Sequence, residues 1–342
     1  MDYAIKQMAP LKASGPDGMS PIFYQNFWDF VGNDVSSAIL FCLNSGSILK
    51  SINHTYITLI PKKQNPTKVI DFHPISLCNV IYKILSKVLT NRLKPILSHI
   101  ISETQSAFIP GRLITDNILV AFETLYHMKT KPTGKEGFMA LKLDMSKAYD
   151  RVEWAFLKQV MLKMGFNTKW VSLMMECISS VSYSILINGS PQGLLKPTRG
   201  LRQGDPLSPY LFLLCAEGLH GLLHQVAKNE LIQGISLSRG GPQLTHLFFA
   251  DDSLLFCRAR RDECETLLNI LSQYEAVSGQ QINRDKTTLF FSKSITASKQ
   301  TELLQLLGVP AVKEYEKYLG LPSFVGRSRR ESFTQIKESI WQ

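Results

Sequence analysis

Two apolar runs, 244–249 (LTHLFF) and 253–257 (SLLFC), meet at Ala250-Asp251-Asp252. Runs of this length and composition read as the two strands of a hairpin buried in a sheet. Aspartate is at home in hairpin turns, so a plain turn accounts for the pair taken alone. The apolar flanks on both sides weigh toward chemistry, because buried strands rarely deliver acids without a use. Asp144 is a third acid of this kind and follows the apolar stretch 138–143 (FMALKL). A carboxylate held at a strand end is a good ligand for a hard divalent cation. With the two strands side by side, Asp144 and Asp251 meet across 107 residues of chain. Two magnesium ions there would activate an attacking hydroxyl and stabilise a leaving oxygen.

A second constellation lies at 199–209 (RGLRQGDPLSP), where glycines, a proline and charged side chains precede an apolar run. Such a loop can lay backbone and side chains against a nucleotide. It also fits a plain helix entry, with Asp205 as cap and Pro206 in the first turn.

The remaining elements interleave strands and helices without a regular βαβ rhythm, which predicts a mixed α+β architecture. Residues 56–60 read as a strand stopped by Pro61, and 80–97 as an amphipathic helix that Pro95 ends or kinks. On that helix Ile81, Ile84, Leu85, Val88 and Leu89 fill one face, while Lys83, Lys87 and Lys94 share another. A loop is expected at 130–137 and a helix from Ser146 to Met164. A hairpin turning at Asn188-Gly189, helices at 207–227 and 262–277, a strand at 286–292 and a helix beginning at 329 follow.

At 342 residues the chain exceeds the roughly 250–300 at which one core stops growing, so two or three lobes are expected. Apolar residues at 44% and charged residues at 19% exclude a disordered, collagenous or coiled-coil chain. With no run of about 18 apolar residues and no charged-then-apolar leader, neither a membrane span nor secretion is expected. The net charge is +10, and 50–94 holds eight Lys/Arg against the single acid Asp71. That clustering suits a polyanion, although a solvated basic face explains it equally well. Six cysteines without a CxxC pair suggest buried, reduced thiols in an intracellular protein.

In order, the chain reads KASGPDGMSP (12–21), LIPKK (59–63), HPISL (73–77), QSAFIPGRLITDNIL (105–119), LDMSKAYDRVEW (143–154), GLRQGDPLSPYLF (200–212), FADDSLLF (249–256), INRDKT (282–287) and YLGLP (318–322). This ordered set resembles the reverse transcriptase domain of non-LTR, LINE-type retrotransposons, especially plant ones, across nearly the whole chain.

The resemblance implies a right-hand polymerase fold. It places fingers with an N-terminal extension at 1–137, palm at 138–164 and an insertion at 165–199. Palm with the primer grip follows at 200–322, then the start of a truncated thumb at 323–342. It implies that Asp144 and Asp251 ligate two magnesium ions, or manganese, with Asp252 as the adjacent acid. Lys286 would protonate the leaving pyrophosphate. Lys62 and position 73 would reach the triphosphate, and Arg202, Gln203 and Gly204 would lie near nucleotide and template. The ring of Tyr149 would exclude a 2′-hydroxyl, and Tyr318, Leu319 and Gly320 would form the primer-grip turn. RNA template, DNA primer and dNTPs are the implied partners. The family implies nuclear localisation and an endonuclease in the full-length polyprotein.

One residue departs from the family: His73 stands where an arginine is usual. Histidine is shorter than an arginine fork and at its ordinary pKa is mostly neutral at pH 7. Two alternatives therefore accompany the RNA-directed DNA polymerase: a catalytically impaired nucleic-acid-binding relic, and an RNA-synthesising polymerase, against which Tyr149 speaks.

Overall fold

The computed structural model describes residues 1–130, 137–310 and 317–322. The chain divides into two compact units. One comprises 1–100 and 149–215, the other 101–148 and the described part of 216–342. Of the expected finger stretch, 101–130 falls in the second unit, and 149–199 falls in the first. The expected helix at 329 and thumb start at 323–342 lie outside the described residues, as does most of the expected loop at 130–137.

In the first unit β1 (His54–Pro61) pairs antiparallel with β2 (Phe72–Cys78). The reading of 56–60 as a strand ending at Pro61 holds, and the HPISL motif supplies its partner. The helix Val80–Ile100 runs straight through Pro95. Pro95 is exposed, while Leu93 and Leu97 on either side of it are buried. Packing therefore holds the helix although the proline removes one backbone bond. The expected basic face is interrupted by Lys83, which is 2% exposed and donates from Nζ to Ala13 O at 3.0 Å.

The short strand β3 (Phe138–Leu143) belongs to the second unit, and the chain then enters the first with a 3-10 turn at Tyr149–Arg151 and a helix at Trp154–Lys163. The helix thus opens eight residues later than Ser146. In the same unit, β4 (Ser182–Ile187) and β5 (Ser190–Leu195) form the expected hairpin about Asn188-Gly189. Parallel pairing of β4 with β1 completes a sheet of order β2-β1-β4-β5.

The second unit is built on an antiparallel sheet of order β6-β7-β3-β8, with β6 at His246–Phe249, β7 at Asp252–Arg258 and β8 at Thr288–Phe291. Side chains alternate along each strand. Ala140, Leu254, Phe256 and Phe290 therefore share the face that packs on Ala121, Leu125 and Met128 of the helix Ile114–Thr130. On the opposite face, Leu141 and Leu143 gather with Leu268 and Leu271 of the helix Arg261–Ser278. That helix ends at Gly279, whose φ of 75° is a left-handed cap. A sheet covered on both faces explains the near-continuous apolar runs of β3 and β7. The two-residue strands β9 (Lys317–Tyr318) and β10 (Leu321–Pro322) pair about a tight turn.

Candidate active site

The carboxylates gather at one end of the second unit's sheet. β3 and β7 run antiparallel with Leu143 opposite Ser253, so one further step sets Asp144 across from Asp252. Asp251 immediately precedes β7, in the turn after Phe249, and Ala250 before it takes a left-handed φ of 54°. That region costs a residue with a Cβ about 1–2 kcal/mol, so the turn persists only where its surroundings hold it.

Electrostatics ties the three acids together. Burial pushes the Asp251 carboxyl above the usual range, and the charge of Asp144 adds to the rise. Burial raises Asp252 as well, joined by Asp251 and Asp144 and opposed by Lys142. Like charges crowded in a half-buried place disfavour ionisation until a cation joins them. An all-oxygen, anionic donor set of this kind fits a hard divalent ion. Among the described residues no three metal-ligating side chains are drawn into an ion-holding cluster. The fit therefore rests on donor chemistry and charge.

Asp144 is also fixed from behind. Its N–H donates to Thr287 Oγ1 at 3.3 Å, and its carbonyl accepts from Asn283 N at 2.8 Å. The INRDKT segment is thus a turn that backs the acid, and its exposed Lys286 lies in that turn, two residues before β8.

Gln105 and Asn117 buttress the acid turn, and the sequence reading assigned them no role. Thr104 O and Ser106 N bond the backbone of Phe248, so residues 104–106 line the outer edge of β6. Gln105 Oε1 accepts from Ala250 N at 3.1 Å, and Asn117 Nδ2 donates to Phe248 O at 3.0 Å. Arg112 ties the same loop together through the carbonyls of Ile101, Ser102 and Gln105. The available signal was an amide pair, Gln105 and Asn117, inside a motif otherwise read as a whole.

The nucleotide-side residues expected from the resemblance fall in the first unit. His73 is exposed on β2 and pairs with Ile60 of β1. Lys62, just past the end of β1, is exposed and donates to Ile70 O at 3.0 Å. Tyr149 is half-buried and stacked on Phe212, with ring centroids 4.8 Å apart and planes 10° from parallel. Its carbonyl accepts from Leu201 N at 2.8 Å, which ties it to the 199–209 loop.

Arg202 sits differently from the expectation of a nucleotide contact. Its guanidinium is buried and spends its donors on Asp205 at 2.9 Å, Asn53 Oδ1 at 2.6 Å and Cys177 O at 2.9 Å, while lying 3.9 Å from the Tyr82 ring centre. Buried, with its donors filled by these groups, Arg202 anchors the loop from inside. Gln203 O accepts from Ser76 N at 2.9 Å, joining the loop to β2. Gly204 takes a φ of 105°, and a Cβ there would stand 3.1 Å from Ser76 O. The glycine is therefore required by the loop's own packing. Asp205 accepts from Leu207 N two residues on, ahead of the helix Ser208–Lys228 and not at its cap, and also accepts from Tyr82 and Ser86. A concavity of about 250 Å³ lies against this loop, lined by Gln203, Arg199, Asp150, Tyr183, Pro74 and Ser76 among others.

Tyr318 is buried beside the carboxylate sheet, with Leu319 (φ 48°) and Gly320 (φ 82°) forming the turn between β9 and β10. Two successive positive φ angles are what a two-residue hairpin turn of this hand demands.

Residues 60–322 match the family model of reverse transcriptase (RNA-dependent DNA polymerase). The chain is 28% identical over 324 residues to a Xenopus laevis transposon protein of 149 kDa, covering 90% of this chain and 24% of that protein. It is 26% identical over 328 residues to the retrovirus-related Pol polyprotein of a Drosophila melanogaster type-2 retrotransposable element, covering 94% of this chain and 29% of the polyprotein. An uncharacterized mitochondrial protein of Arabidopsis thaliana is 56% identical over 68 residues, 20% of this chain and 56% of that protein. The chain thus spans between about a quarter and a third of the length of the first and second of these relatives. With the match running from β1 through the acid turn to the YLGLP hairpin, the chain belongs to the reverse transcriptase (RNA-dependent DNA polymerase) family.

Proposed function

We propose that this chain extends the 3′ hydroxyl of a DNA primer with dNTPs on an RNA template, as the polymerase part of a plant non-LTR retrotransposon polyprotein. The observation that carries the reading is the convergence of Asp144, Asp251 and Asp252 at one sheet end, with two of the carboxyls pushed up by burial and mutual charge. Asp144 and Asp251 would hold two magnesium ions, or manganese in their place, with Asp252 as the adjacent acid. When bound, the ions supply hydroxyl activation and charge neutralisation at the transferring phosphoryl group. The primer oxygen bonds to the α-phosphorus, and the bond to the β-phosphate breaks to release pyrophosphate.

In this reading Lys286 gives a proton to the departing pyrophosphate, from a turn mechanically tied to Asp144. Lys62 and position 73, on the β1–β2 hairpin, serve the triphosphate. Tyr149 keeps out the 2′-hydroxyl, held upright by Phe212. Gln203 lines the concavity offered to template and nucleotide, Gly204 lets the loop pack on Ser76, and Arg202 anchors the loop. The YLG turn positions the primer end. An intracellular, nuclear place of action and an endonuclease elsewhere in the polyprotein complete the proposal; the six buried free thiols support the former and the relatives' greater length leaves room for the latter.

Primer extension on an RNA template tests this. Elongation with dNTPs, lost in a folded Asp251→Asn variant, is the expected result. Elongation favouring rNTPs assigns RNA synthesis instead. Primer–template binding with no extension under either set of nucleotides assigns the relic.

A further inference from the structure

The YLG turn and the acid turn are joined by a short chain of buried hydrogen bonds. Tyr318 is 3% exposed, and its hydroxyl donates to Asn117 Oδ1 at 2.8 Å. Asn117, equally buried, donates from Nδ2 to Phe248 O at 3.0 Å and to Ser106 Oγ at 3.1 Å. Phe248 stands two residues before Ala250, whose left-handed backbone aims the chain into Asp251 and Asp252. Gln105 Oε1 holds the Ala250 amide from the same side. The chain begins next to a second strained residue, Leu319 at φ 48°. Two turns in sparsely populated backbone are thus braced against each other through one carboxamide. Tyr318 also lies within reach of the Asp252 charge.

We propose that Asn117 is a positioning residue that locks the acid turn to the Tyr318 hairpin, so that the carboxylates are preorganised for a divalent cation only while that hairpin is docked. The proposal rests on the polymerase reading above. It assigns Asn117 and Gln105 a role behind the metal ligands, and it makes primer-end contact at the YLG turn a means of tuning metal affinity. An amide suits the post because it accepts from a hydroxyl and donates to a carbonyl at once.

The test uses Mn²⁺ binding to the full chain by electron paramagnetic resonance, alongside thermal melting. Asn117→Leu and Tyr318→Phe each strand a polar partner, and both lower stability. Combined, they leave no unpaired Tyr318 hydroxyl or Asn117 carbonyl, and Phe248 O keeps its bond from Ser106 N at 3.1 Å, so the double variant recovers most of the stability that either single change loses. The expected result is that the double variant melts near the wild type yet binds Mn²⁺ about tenfold more weakly, the low end for loss of a ligand-supporting contact. The Mn²⁺ concentration for half-maximal extension rises in step with the weaker binding. Metal affinity at the wild-type level in the double variant, or affinity that merely tracks melting temperature across the three variants, overturns the lock and leaves the polymerase reading standing. Wild-type protein that binds Mn²⁺ no better than Asp251→Asn overturns both.

Discussion

Arg202 donates to the carboxylate of Asp205 at 2.9 Å, and the two side chains are 2% and 1% exposed. The pair is the keystone of the RQGDP loop, since Tyr82, Ser86, Asn53 and Cys177 complete its hydrogen bonding. Removing one member leaves a buried charge unpaired, which costs about 3–5 kcal/mol. Arg202→Met should lower unfolding stability in urea by that much. Arg202→Lys should fail to restore it, because an ammonium cannot fork across three acceptors. A fully stable Arg202→Met protein with only a raised KM for dNTP would return Arg202 to the nucleotide.

Acid sensitivity should arise at β6. Burial, with the charges of His220 and His224, depresses His246 to about 3, and its Nε2 lies 2.9 Å from His220 Nδ1. In the unfolded chain an ordinary histidine takes up its proton near 6.5. Between these values the unfolded state binds more protons, so stability falls as pH drops from about 6.5 toward 3, by up to about 1.4 kcal/mol per pH unit. Melting temperature followed from pH 7 to pH 4.5 should decline, and His246→Asn should flatten the decline. Equal slopes in the two proteins would remove His246 from the account.

Sugar selection should depend on a stacked pair. Tyr149→Ala is expected to narrow the ratio of kcat/KM for dNTP over rNTP by about tenfold, equivalent to about 1.4 kcal/mol of discrimination. Phe212→Ala should narrow it less, since it frees the Tyr149 ring from its stack without deleting it. Unchanged selectivity in Tyr149→Ala would assign the tyrosine to packing alone.

His73 is exposed on β2, so an arginine can be accommodated there without repacking. His73→Arg should improve extension at low dNTP by about tenfold, the effect of one charge-assisted contact worth about 1.4 kcal/mol. Identical dNTP dependence in both proteins would show that the side chain does not reach the triphosphate.

Much of the strand pattern was legible because buried strands announce themselves: FMALKL, LTHLFF and SLLFC are apolar throughout, and the acids that interrupt them mark strand ends. The turn at Asn188-Gly189 and the cap at Gly279 were equally legible, since both depend on local backbone conformation. Helix continuity through Pro95 was not, because packing of Leu93 and Leu97 outweighs a local break. Nor was the start of the helix at Trp154, where a 3-10 turn intervenes.

The sequence by itself determined where the candidate residues stand: the three aspartates and the loop of glycines and charge are local patterns of type and spacing, and the resemblance adds the YLGLP turn. Only the tertiary structure decided what the neighbouring polar residues do. The resemblance set Arg202 near nucleotide and template, and helical spacing set Lys83 on a basic face, whereas both side chains are buried and donate to backbone carbonyls, of Cys177 and Ala13. Whether a polar side chain meets a ligand or a carbonyl depends on which distant backbone groups would otherwise go unpaired, and that is set by segments far apart in the chain. Gln105 and Asn117 follow the same rule: partners 145 and 131 residues away make them the supports of the acid turn.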